Sequence, residues 1–256
     1  MNKLTTLLLL SAFSSSLSAQ PKLERVGSAA HIVANNRPML MIGGEMGNSS
    51  ASTLDDVSRH FTHLERLGLN TVLAPVSWEL IEPEEGRFDM TTLDHLLNEA
   101  RRHNMKLVLL WFGAWKNSMS CYAPEWFKRD TKRFPRAMTH EGKPVEEASS
   151  LSDNVLEADK KAFCKIMEYL RDNDKEETVV MVQVENEIGM VNVPRDYAPD
   201  ATKLYRSAVP KSLTDYLDKH KKTLHPYMAQ RYRHDGGRKT WSEVFGDDIY
   251  GEEIFQ

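Results

Sequence analysis

The residues best suited to chemistry lie in Val182-Gln-Val-Glu-Asn-Glu-Ile-Gly189, where an apolar run breaks into side chains that a packed core would not tolerate without partners. At the carboxyl end of a buried strand, such a burst stands where α/β barrels concentrate their reactive groups. A carboxyl group there, partly withdrawn from water, can keep its proton near neutral pH and deliver it to a leaving group. The neighbouring amide of Asn186 can hydrogen-bond a hydroxyl beside the reacting centre. Asn-Glu by itself is a common dipeptide, and Glu185 and Glu187 could equally cap or salt-bridge a strand end. Only the surrounding elements can separate these alternatives.

Those elements alternate. Arg37–Gly43 is a continuous apolar run ended by two glycines and reads as a short buried strand. Leu54, Val57, Phe61, Leu64 and Leu67 form one helical stripe, with Ser52 and Asp55 as a capping box and Gly68 as a stop. Asn70–Pro75 is a second buried strand. Leu93, Leu96, Leu97 and Ala100 make a helix behind a Thr91/Asp94 capping box, and Lys106–Phe112 is a third strand without polar alternation. Phe163, Ile166, Met167 and Leu170 form another helix face, and Thr178–Val184 is the fourth strand. A further helix starts at Ser212, carries Leu213, Tyr216, Leu217 and His220 on one side, and has Asp215 in capping-box position.

Strands this uniformly apolar are buried on both faces, and strand-helix alternation without an Asn-Gly or Asp-Gly hairpin signal predicts a parallel α/β sheet. No GxGxxG or P-loop follows any of the strands, which argues against nucleotide binding and the open sheets that carry it. The strand ends carry carboxylates, amides and tryptophans instead.

Composition narrows the function further. The 256 residues hold 33 Lys+Arg against 37 Asp+Glu, for a net charge of −4, with 41% hydrophobic residues. This is the balance of a globular domain, and without a dense cationic stripe it lacks the electrostatic footprint of a nucleic-acid binder. Residues 1–19 place Lys3 before an apolar run from Leu7 to Phe13 and then small residues ending at Ala19, the layout of a secretory signal, so an exported protein is expected. That run is far shorter than the ~20 residues of a bilayer crossing, and no later segment qualifies as a membrane span. Cys121 and Cys164 would then meet an oxidising compartment, where a disulfide or two separate thiols are both open. Neither CxxC nor HxxxH spacing accompanies them, so no metal and no cofactor are expected.

Val182–Gly189 resembles the acid/base motif of glycoside hydrolase family 35, the β-galactosidase family, within the clan of retaining glycosidases whose acid/base Glu follows an Asn on the fourth barrel strand. Gly68-Leu-Asn-Thr-Val72, Trp78-Glu-Leu-Ile-Glu-Pro-Glu-Glu-Gly-Arg-Phe-Asp89 and Ala123-Pro-Glu-Trp126 resemble further segments of that family. The layout is closest to bacterial secreted members with a GGE-x-x-N-S-S segment, here Gly43 to Ser50. The resemblance implies a signal peptide at 1–19 and, at 20–256, the N-terminal portion of a (β/α)8 TIM-barrel catalytic domain acting on oligosaccharide or polysaccharide. It implies Glu187 as acid/base and Asn186 as partner of the sugar hydroxyl next to the reacting carbon. Glu45, Asn48, Trp78 and Trp111 would line the sugar site, with packing an equal alternative for the two tryptophans, and Glu82-Pro83 is expected as a structural turn. The chain departs from the family at Ala74-Pro75, where the family has a sugar-contacting Tyr. It departs again after the third strand, where a Glu is replaced by Phe112-Gly-Ala-Trp115 and then Lys116.

Retaining hydrolysis needs a second carboxylate about 5–5.5 Å from the first. The family takes it from the seventh strand. Only 69 residues follow Glu187 in the 256-residue chain, whereas four more strand-helix units at roughly 30 residues each need about 120. The tail holds Pro194, Pro199, Pro210 and Pro226 and shows no fifth buried strand, so a truncated barrel without its nucleophile is expected. A non-catalytic carbohydrate-binding relative and a retaining glycosidase for another sugar remain open.

Overall fold

The computed structural model describes residues 20–117, 119–187, 189–190 and 193–256. The expected export signal lies outside these residues. The chain first makes an antiparallel sheet of β1 (Lys22–Val26), β2 (Ala29–Ala34) and β3 (Arg37–Met39). The β2–β3 hairpin turns at Asn35 and Asn36, both with positive φ (50° and 58°), a region that Asn tolerates better than most residues. The run Arg37–Gly43 is therefore not one buried strand. Arg37–Met39 closes the hairpin, Leu40 and Ile42 are exposed, and the parallel sheet begins only at β4 (Gly43–Glu45).

Helix α1 (Leu54–Arg66) buries Val57 and Phe61 and stops before Gly68, whose φ of +72° suits glycine. Its cap is Thr53, whose hydroxyl accepts from the Asp56 N–H at 3.1 Å. Ser52, the expected cap, donates instead to the Ser49 carbonyl. Next come β5 (Thr71–Ser77), α2 (Trp78–Ile81), α3 (Thr91–Arg102) and β6 (Lys106–Phe112). Thr91 is the first residue of α3 rather than its cap, and its N–H donates to Asp89 Oδ1. After α4 (Glu125–Arg129), a second hairpin of β7 (Arg136–Met138) and β8 (Pro144–Ala148) leads into α5 (Asp153–Asn173) and β9 (Val179–Gln183). The rest is helical among the described residues: α6 (Pro199–Tyr205), α7 (Lys211–Lys219), α8 (Pro226–Arg231), α9 (Trp241–Phe245) and α10 (Ile249–Phe255). Helix α7 is capped by Pro210, and Asp215 pairs with Lys211 instead of reaching back to the helix start.

Strands β4, β5, β6 and β9 form one parallel sheet in that order. Each new strand adds to the same side of the last. A doubly wound sheet reverses direction at a switch point, whereas a barrel wall grows this way. On one face Val72, Ala74, Leu107, Leu109 and Trp111 pack in the main core with α1, α3 and α5. On the other, Val108, Leu110 and Phe112 form a second cluster with Leu73, Tyr122 and Val180. The fold is α/β with a parallel sheet, as expected, and is consistent with part of a TIM barrel. No described helix is long and apolar enough to cross a membrane. Cys121 and Cys164 are free thiols.

Candidate active site

Because the four strands are parallel, their carboxyl ends share one edge, which collects Glu45, Ser77, Phe112 and Gln183 and the loops beyond them. Phe112 is the last ring of the second apolar cluster and forms the floor. Tyr122 packs on it with ring centroids 5.2 Å apart, and its hydroxyl is 2.9 Å from Ser49 Oγ, which ties the loop after β4 to the loop after β6. The Lys116 ammonium sits 4.6 Å above the Phe112 ring and donates to Asn186 Oδ1 at 2.7 Å, which ties the β6 loop to the segment after β9.

Glu187 follows Asn186 with its side chain exposed and its backbone at φ +50°. The left-handed region is unusual for a residue with a Cβ and occurs disproportionately where a side chain must be aimed. Glu45 is exposed at the end of β4, and Asn48 is half-buried in the following loop. They share the edge with Glu187 but stand three strand spacings away, about 14 Å along the sheet. No hydrogen bond among the described residues joins them to Asn186 or Glu187.

The tryptophans take the packing role. Trp78 is fully buried, donates its indole N–H to Glu82 Oε2 at 2.9 Å, and is surrounded by Trp111, Trp126 and Phe127. Helix α2 starts directly at Trp78 and its indole belongs to the main core. Glu82 also accepts from the Gly86 N–H, so it is the structural turn expected from sequence. Trp111 is 1% exposed and belongs to the face opposite Phe112. It lines a cavity of about 390 Å³ together with Trp115, Phe163, Asp159 and Glu185.

That cavity holds a pair the sequence reading missed. Asp159, on α5, accepts from Trp111 Nε1 at 2.7 Å and from the Ala114 N–H at 2.6 Å. The Glu185 carboxyl faces it, and burial, reinforced by the Asp159 carboxylate, pushes Glu185 up to about 10. Glu185 therefore keeps its proton at neutral pH, and as a neutral acid it can hydrogen-bond Asp159 through a carboxyl whose buried Oε2 otherwise has no partner among the described residues. A signal was available, because Asp159 lies on the apolar face of its helix with Val155, Ala162 and Ile166. Lys116 and Tyr122 were also missed as site residues, since each becomes part of the edge only through a loop contact.

Two glutamates of the helical tail, Glu243 and Glu252, serve structural contacts. Glu243 completes the capping box at the start of α9, and Glu252 pairs with Arg195 at 2.9 Å.

Comparison with protein families matches residues 50–250 to the model of glycoside hydrolase family 42, described as beta-galactosidase. No curated protein matches the chain. Among solved structures, one similar to this chain is a polyextremophilic beta-galactosidase from the Antarctic haloarchaeon Halorubrum lacusprofundi, with a TM-score of 0.52 at 19% identity. The alignment covers 75% of this chain but 28% of that one, so the chain spans under a third of its length. The resemblance to family 35 is thereby corrected to family 42. A short Asn-Glu segment after a parallel strand does not separate one family from another, whereas a match over residues 50–250 does.

Proposed function

Because the chain belongs to glycoside hydrolase family 42, the beta-galactosidase family, we propose that it supplies the acid/base side of a retaining glycosidase site for terminal β-galactosides or related glycosides. The observation that carries this reading is the placement of Asn186 and Glu187 immediately beyond β9, on the edge where the parallel strands end. In the first step a carboxylate nucleophile forms a bond to the anomeric carbon while Glu187 gives its proton to the departing glycosidic oxygen. In the second, water loses a proton to Glu187 and adds to that carbon, which releases the sugar and frees the nucleophile. Asn186 donates from its amide to the hydroxyl beside the reacting carbon.

This reading assigns the nucleophile to a carboxylate outside these 256 residues and the four parallel strands to the first half of a (β/α)8 barrel. It needs no metal and no cofactor. It includes export directed by residues 1–19, supported by Lys3 and the apolar run behind it, and N-terminal sequencing of the native protein beginning at Gln20 would bear that out.

In the native gene product, Glu187→Gln should lower turnover of 4-nitrophenyl β-D-galactoside by about 1,000-fold with folding intact. Unchanged turnover would remove Glu187 from the chemistry. Galactose binding by calorimetry without turnover in the wild type would favour a carbohydrate-binding role, and a panel of aryl glycosides identifies the sugar.

A further inference from the structure

An ammonium is among the costliest groups to withdraw from water, yet Lys116 is only 7% exposed. Among the described residues no carboxylate pairs with it. Among the described residues, its side chain hydrogen-bonds to Asn186 Oδ1 and rests on the face of Phe112. Two main-chain hydrogen bonds with Met119 hold its backbone in place. The cation is thus built into the wall at the carboxyl ends of β6 and β9, where nothing in the packing of the sheet requires a charge.

The chemistry of the two partners sets the consequence. An ammonium only donates, so it engages the carbonyl oxygen of an amide and never its nitrogen. With Oδ1 turned to the ammonium, the amide orientation is fixed, and Asn186 presents its Nδ2 hydrogens on the opposite side, where a ligand acceptor can meet them. We propose that Lys116 is a positioning residue of the site: it locks the Asn186 amide so that Nδ2 is presented to substrate, and thereby makes the site select glycosides that carry an acceptor hydroxyl next to the anomeric carbon. This rests on the reading of Asn186 given above and extends it to a residue that the sequence comparison marked only as a departure.

The test uses the native protein and the variants Lys116→Met, Asn186→Ala and the double substitution, with 4-nitrophenyl β-D-galactoside and its 2-deoxy analogue as substrates. Methionine keeps the stem against Phe112 and removes the donors. Lys116→Met should lower kcat/KM on the galactoside by about 30-fold, the scale of a charged hydrogen bond. It should change the 2-deoxy analogue less than about twofold, and the double variant should be no worse than Asn186→Ala. Equal losses on both substrates, or additive losses in the double variant, would overturn the proposal in favour of a purely structural lysine. A second arm needs no substrate: the side-chain amide resonance of Asn186 in ¹⁵N-labelled protein should move in Lys116→Met, and an unmoved resonance overturns the link between the two residues. Wild-type protein that neither turns over nor binds any aryl glycoside overturns the proposed function instead, so the two failures are distinguishable.

Discussion

Glu185 and Glu187 are two residues apart and have opposite surroundings. One side chain is exposed to solvent, and the other is half-buried, its carboxyl facing Asp159 and held up at about 10. An acid whose folded value is raised binds more protons in the native state than in the unfolded chain, where its ordinary value is 4.5. Stability from this group is complete below the unfolded value and is lost as pH rises through the folded one. Glu147, pushed up to about 7 by burial and by Asp196, acts with the same sign over a narrower window. Glu185→Gln should remove the wider contribution, because the amide still donates to Asp159 but does not titrate. The melting temperature of the variant relative to wild type is expected to rise between pH 5 and pH 9, and a constant difference across that range would show that Glu185 is not neutral in the fold.

At the scale of elements, the close approach of α5 to the end of β6 depends on a missing side chain. A Cβ at Gly113 would lie well inside van der Waals contact with both Asp159 carboxylate oxygens and with Trp111 Nε1. Gly113→Ala should therefore cost about 2 kcal/mol in urea unfolding, the range of overpacking in a close-fitted interior. It should also separate Glu185 from Asp159 and flatten the pH dependence. At the start of α1, Thr53→Ala should cost about 1 kcal/mol because the Asp56 N–H loses its acceptor, whereas Ser52→Ala should leave the helix start intact. Equal effects at the two positions would return the cap to Ser52.

At the scale of the molecule, β4 and β9 are the edge strands of the parallel sheet, with no further strand paired to them among the described residues. Leu40 and Ile42 beside the first, and Met181 and Val184 beside the second, are exposed apolar side chains. Open parallel edges flanked by apolar residues favour association with other strands. The isolated 256-residue chain is expected to self-associate with rising concentration, and Met181→Lys should reduce that association in light scattering, since charge on an edge strand opposes pairing. Scattering unaffected by the substitution would place the association elsewhere.

Periodicity and apolar runs alone determined the parallel α/β class, the second to fourth sheet strands to within a few residues, and the position of Asn186-Glu187 beyond the fourth of them. These features are local, since burial on both faces writes itself into every residue of a strand and a polar burst into the residues that follow it. The caps of α1 and α3 fell one or two residues away from their expected places because Ser, Thr and Asp neighbours compete for the same orphan N–H groups, and backbone geometry selects among them. The β2–β3 hairpin was hidden by a turn of two asparagines, which reach positive φ without the glycine that usually marks it. Only the tertiary structure decided that Trp78 and Trp111 belong to the core, that Glu185 shares a buried site with Asp159, and that Lys116 reaches Asn186. Those contacts join residues 26 to 70 positions apart. They depend on which face of the sheet each strand end presents, a relation set by the packing of elements rather than by any one segment.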